Sequence, residues 1–194
     1  TTTIKTLNLI GYLFQQKSSN FQSFDSYLKS FPKNKREGKL KELALLSHYL
    51  SVHYLKKEDS IKSIKYAKRE VTIYTELKDS IGMRNSKIKL AEYFQKLNKH
   101  NKTIELLNDI LNKYTYSDSV EAHIYITLGN SLYANSNYKK ALSAFQKVNR
   151  LENRKSFNTN INMLLGNTEF KLKNWDMAKL YYQKQLDSID NNKA

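Results

Sequence analysis

A chain of 194 residues with 40% apolar residues, 5 Gly and 1 Pro is long enough to bury a core and poor in the residues that β-hairpins need, which predicts helices joined by short polar turns. With no Cys, a disulfide framework, a thiolate metal site and a cysteine nucleophile are excluded. A formal charge of +15 points to anionic partners, and no run approaches the roughly 18 apolar residues that a bilayer span requires.

In chain order the apolar periodicity predicts five pairs of helices. The first covers about 4–31, with Leu7, Ile10 and Phe14 on one helix, Phe21, Phe24 and Tyr27 on the other, and a turn at Lys17 to Asn20. Pro32 and the polar run from Lys33 to Gly38 are expected to break the chain. The second pair covers about 39–77, and its second helix is expected to be long, because Ile61, Ile64, Ala67, Val71 and Tyr74 keep helical spacing. The third pair covers about 84–114 with a turn at Asn98 to Lys102. The fourth covers 119–151 with a turn at Asn135 to Asn137, and the fifth 158–187 with a turn at Lys173 and Asn174. Ten helices are expected. The chain opens Thr1-Thr2-Thr3 without the apolar segment of a signal peptide, which reads as a processed product or an excised piece of a longer protein.

The fourth pair carries the most specific pattern. Tyr125-x2-Leu128-Gly129-x2-Leu132 is followed by Ala141-x3-Phe145, the spacing of a tetratricopeptide repeat. On those residues the chain resembles a tetratricopeptide-repeat (TPR) protein. Carrying the motif along gives Ser23, Ser60, Thr103, Ala141 and Ala178 as the small residues of the second helices, at intervals of 37, 43, 38 and 37 residues. The glycine-like positions, always twelve residues earlier, are Gly11, His48, Ala91, Gly129 and Gly166, with Ser47 the alternative in the second pair. The resemblance implies an all-α, right-handed α-solenoid of about five TPR-like helix-turn-helix units in a single domain over 1–194, with first helices on the concave face. Phrases such as Leu77-Lys78-Asp79-Ser80-Ile81 are similar to TPR segments of Bacteroidetes signalling and regulatory proteins. That implies a sensing or regulatory region of a larger bacterial protein, periplasmic or cytoplasmic according to the parent.

Catalytic constellations are absent from the sequence: there is no phosphate loop, no H-E-x-x-H and no G-x-S-x-G. His48, His53, His100 and His123 are read as ordinary helix or turn residues, not metal ligands, and no cofactor is expected. Lys56, Lys57, Lys62, Lys65, Lys139, Lys140 and Lys147 are read as a solvated outer face. The position after the glycine-like residue, Tyr12, Tyr49, Glu92, Asn130 and Asn167, and the position three further, which includes Tyr133 and Phe170, would line the concave face together with Lys89 and Lys96. An Asn amide both donates and accepts, so Asn130 and Asn167 can hold a peptide main chain while Tyr133 and Phe170 supply apolar contact. The competing reading is that both Asn residues bond within the scaffold. Trp175, the equivalent of Tyr138, is read as a packing residue. The leading expectation is a non-catalytic scaffold for a protein or peptide segment. The alternatives are a basic solenoid that binds nucleic acid or an anionic surface, and a homo-oligomeric module joined through uncapped C-terminal helices.

Overall fold

In the computed structural model, residues 33–152 and 160–191 are described, and among them every regular element is a helix. Eight helices follow in order: α1 (Lys33–Lys56), α2 (Ser60–Glu76), α3 (Ser80–Lys96), α4 (His100–Lys113), α5 (Asp118–Ala134), α6 (Tyr138–Glu152), α7 (Ile161–Lys171) and α8 (Trp175–Asn191). The first predicted pair, including Gly11 and Tyr12, lies outside the described residues. The chain divides into two compact units, Thr1–Tyr93 and Phe94–Ala194.

Within the first unit α1 packs on α2. Leu40, Leu43, Ala44, Leu46 and Leu50 of α1 and Ile73 of α2 form the core, edged by Tyr54, Tyr66, Tyr74 and Leu77. The Tyr54 and Tyr66 rings stack in parallel at 5.5 Å. The run after Pro32 does not break the chain: α1 begins at Lys33 and takes Gly38 into its interior, where the backbone faces open space.

The structure also corrects the register of the second pair. Five residues after the left-handed turn residue Glu58 stands Ser63, just as Thr103, Ala141 and Ala178 stand five after Asn98, Ser136 and Lys173. The close-packing residue is therefore Ser63, not Ser60, and its counterpart twelve earlier is Ser51, not His48. Both are fully buried, and the Ser63 hydroxyl donates to the Ser51 carbonyl at 3.0 Å. The 43-residue interval contracts to 40, and α2, at 17 residues, is no longer than α3, α5 or α8. His48 instead sits 3.2 Å from the buried carboxylate of Glu70, which satisfies a group that is costly to bury alone.

Five tight turns share one construction. Glu58, Lys78, Asn98, Ser136 and Lys173 have φ of 60°, 54°, 55°, 59° and 65°. The N–H of the following residue reaches the carbonyl five positions back: Asp59 to Tyr54, Asp79 to Tyr74, Lys99 to Phe94, Asn137 to Leu132 and Asn174 to Glu169. This is the Schellman arrangement, which satisfies the last carbonyls of one helix and reverses the chain into the next. It operates between α2 and α3 as well, where nothing in the sequence marks a tight turn. There the Asp79 carboxylate caps α3 by accepting from the Gly82 N–H at 2.8 Å, and Gly82 lies so close to Tyr74 that a Cβ would stand 2.3 Å from the ring.

In the second unit α4 packs on α5, α5 on α6, α6 on α7 and α7 on α8. Leu107, Ile110, Ile124, Phe145, Val148 and Leu165 are fully buried. Gly129 permits a closer approach here than Gly166 does: a Cβ there would stand 2.4 Å from the Phe145 ring. At Glu169, the equivalent of Leu132 in the fourth pair, the carboxylate is buried and accepts from the Asn174 side chain at 2.7 Å. The same turn residue thus binds both the backbone and the side chain of Glu169, which accounts for a charged group in a packed position.

Candidate functional site

The candidate face lies on α5 and α7, the two first helices of the second unit. Gly129 and Gly166 fix how closely each meets its second helix, through the rings of Phe145 and Tyr182. The next residue in each is the predicted asparagine, half-buried at Asn130 and exposed at Asn167.

The two are not equivalent. The Tyr182 hydroxyl donates to Asn167 Oδ1 at 2.9 Å, so that carbonyl is already engaged within the scaffold. Phe145, 37 residues earlier, has no hydroxyl to offer, and among the described residues no partner reaches the Asn130 amide. Burial raises the Tyr182 phenol above its ordinary pKa, and neighbouring Tyr133 adds to the rise. Tyr133, Asn167 and Tyr182 are thereby brought into one neighbourhood, a grouping that the spacing of Asn130 and Asn167 does not reveal.

Beside each Asn stands an aromatic pair. Tyr133 meets Tyr138 edge to face with centroids 5.2 Å apart, and Phe170 meets Trp175 in the same way at 5.0 Å. Both pairs join the end of a first helix to the start of its second, one 37-residue step apart. Trp175 does pack, as expected, yet it remains 55% exposed and Phe170 51% exposed, so the second pair presents more ring to solvent than packing requires. Edge-to-face pairs hold their rings in fixed orientation, which makes them stiff apolar ledges.

The remaining predicted residues are scattered. With the corrected register, Val52 stands where Asn130 stands in its own pair, and Tyr49 lies three residues before that position, exposed and beside His48 at 5.9 Å. Lys89 is half-buried on α3 and Lys96 exposed in its last turn. Gln95, which stands four residues after Ala91 as Tyr133 does after Gly129, spends its Nε2 on the scaffold, donating to the Thr127 carbonyl at 3.0 Å. Among the described residues no group of three His, Asp or Glu could hold a metal ion, and no helix is long and apolar enough to cross a membrane.

Known structures identify the fold. BtubC from P. vanneervenii superposes over 98% of this chain and 81% of its own, with a TM-score of 0.71 at 14% identity. A Podosopora anserina protein that carries the kinesin light chain name, made of nearly identical TPR-like repeats, covers 98% and 97% with a TM-score of 0.68 at 11% identity. The fold is that of a TPR-like helical repeat protein. MamA from Desulfovibrio magneticus RS-1 is similar over 99% of this chain and 98% of its own, with a TM-score of 0.65 at 12% identity. No protein-family model matches the chain, and no curated protein matches it in sequence. At these identities the likeness is one of fold.

Proposed function

We propose that the protein is a non-catalytic TPR-like scaffold that holds a peptide or protein segment against α5 and α7. One observation carries the reading: an Asn followed by an edge-to-face aromatic pair recurs 37 residues on, and the Asn130 amide has no partner among the described residues. A half-buried carboxamide that can donate and accept at once matches a peptide main chain, and the exposed Phe170 and Trp175 add rigid apolar area beside it. Asn130 is the principal anchor in this reading, and Asn167, with its carbonyl held by Tyr182, contributes its amide protons. The resemblance of the sequence to TPR segments of signalling proteins supports a sensing or regulatory role within a larger bacterial protein.

The test is selection of binders from a phage-displayed random-peptide library on the whole chain, followed by mapping of the selected peptides through amide chemical shifts. Shifts should concentrate on α5 and α7, and Asn130→Ala should weaken binding about tenfold, the loss of about 1.4 kcal/mol expected when a buried hydrogen bond to a ligand is removed. Asn167→Ala should have a smaller effect on binding and a larger one on the thermal midpoint. Selected peptides that leave α5 and α7 unperturbed would reject the reading.

A further inference from the structure

A second, separate surface lies on the other helices of the same unit. A cleft of about 540 Å³ runs between α4 and α6, with α5 as its floor. This volume is within the range of ligand sites. Asn101, Asn108 and Asn112 stand along α4, and Lys140 and Lys147 along α6, with Tyr125 beneath them. Five Asn and two Lys line the cleft, and no Asp or Glu does. One end is shaped by the turn after α5, where Asn135 Nδ2 donates to Asn101 Oδ1 at 2.6 Å.

Lys147 is held in place. Its ammonium lies 4.6 Å over the Tyr125 ring and donates to the Tyr125 hydroxyl at 3.0 Å, so one cation is fixed against the floor. Lys140 is exposed two helical turns away, about 10.5 Å at 1.5 Å per residue. An extended chain advances about 3.3 Å per residue and returns a side chain to the same face every second residue, so carboxylates four residues apart, about 13 Å along the backbone, lie on one face and come within reach of the two flexible lysine side chains. The carboxamides between them can pair with main-chain N–H and C=O together.

From this geometry we infer that the cleft between α4 and α6 is a docking site for a short acidic peptide segment of a partner protein, its main chain held by the Asn residues and two carboxylates on one face of the segment, four residues apart, by Lys140 and Lys147. Charge complementarity selects the occupant: the walls carry two cations and no anion, in a chain of formal charge +15. A nucleic acid fits less well, because no Arg fork for phosphate is present in the lining and the Tyr125 ring is buried under Lys147, where a base cannot stack. The inference stands apart from the first-helix face, since none of Asn130, Tyr133, Asn167 and Phe170 lines the cleft.

The test uses the whole chain and a fluorescein-labelled glycine–serine peptide with two glutamates four residues apart, beside the same peptide with lysines in their place. Fluorescence polarization should show saturable binding of the glutamate peptide alone, and amide shifts should map to α4 and α6. Lys140→Glu and Asn108→Asp, both at exposed positions where folding tolerates change, should each weaken binding at least tenfold. Lys139→Glu, a neighbouring cation outside the cleft, and Asn130→Ala should leave it unchanged. Three results would overturn the inference: no saturable binding at low salt, an equal loss in Lys139→Glu, which would mean diffuse attraction to the basic surface, or a loss confined to Asn130→Ala, which would move the peptide to the α5 and α7 face and leave the proposed function standing.

Discussion

Glycine has three different meanings in this chain, and only its surroundings tell them apart. Gly129 faces the buried ring of Phe145, which has no room to retreat, so Gly129→Ala forces an overlap. Overpacking costs roughly 1–3 kcal/mol, and the helix-propensity gain of Ala recovers up to about 1 kcal/mol of it. A net loss of about 1–2 kcal/mol in urea denaturation is expected. Gly166 meets Tyr182 in the same register, but that ring is only half-buried and can swing outward, so Gly166→Ala should be nearly neutral while it breaks the Tyr182 to Asn167 bond. Gly38 meets nothing within 4 Å inside α1, and Gly38→Ala should stabilise by about 0.5–1 kcal/mol. A stabilising Gly129→Ala would show that the α5–α6 packing is looser than described. The pattern around Gly129 and Gly166 was legible in the sequence because glycine leaves a mark at fixed spacing. Ser51 leaves none, and the fixed spacing points to His48 in its place; a buried serine bonded to Ser63 looks like any polar helix residue until its neighbours are known. The inequality of Asn130 and Asn167 was hidden for a related reason, since it depends on one hydroxyl, present at Tyr182 and missing at Phe145.

At the scale of elements the repeat is carried by its turns as much as by its helices. All five left-handed turn residues bear side chains, and among them Asn98 alone belongs to a type that tolerates this conformation well. A Cβ in this region costs roughly 1–2 kcal/mol, and glycine relieves that while it adds about 0.5–1 kcal/mol of unfolded-state entropy. Ser136→Gly and Lys173→Gly should therefore each raise stability by about 0.5–1 kcal/mol, and the double variant by nearly the sum, because the turns lie in different helix pairs. Ser136→Val, with a branched side chain at positive φ, should lower it. Chemical denaturation of the four variants decides the matter, and a destabilising glycine at both positions would mean that the side chains there make contacts worth more than the strain. The turns after α5 and α7 were predicted from Asn, Ser and Lys clusters. That after α2 was not, because Lys78, the residue in the left-handed region, has no preference for it, and the hydrogen bonds that stabilise the turn lie in the backbone.

For the molecule as a whole, the charge of +15 was plain from the composition, yet its distribution was not: Lys139, Lys140 and Lys147 read alike as a solvated face, and it takes the facing helix α4 to set two of them apart. A sequence lists cations without their neighbours, so the helical repeat was legible while the binding surfaces stayed undivided. The net charge carries a consequence of its own. Like charges are closer together in the folded chain than in the unfolded one, so self-repulsion opposes folding, and salt weakens that repulsion. Local pairs such as Lys62 with Asp59 and Lys113 with Asp109 are exposed and contribute little against it. Raising NaCl from about 0.01 M to 0.15 M shortens the screening length from about 30 Å to about 8 Å. The thermal midpoint should rise over that range, and charge-reducing changes at exposed sites, such as Lys68→Gln with Lys139→Gln, should raise it at low salt and lose their effect at high salt. Differential scanning calorimetry of the parent chain and the double variant measures both. A midpoint that falls with NaCl would show that local ion pairs outweigh the net repulsion, and an unchanged one that the surplus charge sits too far apart to matter.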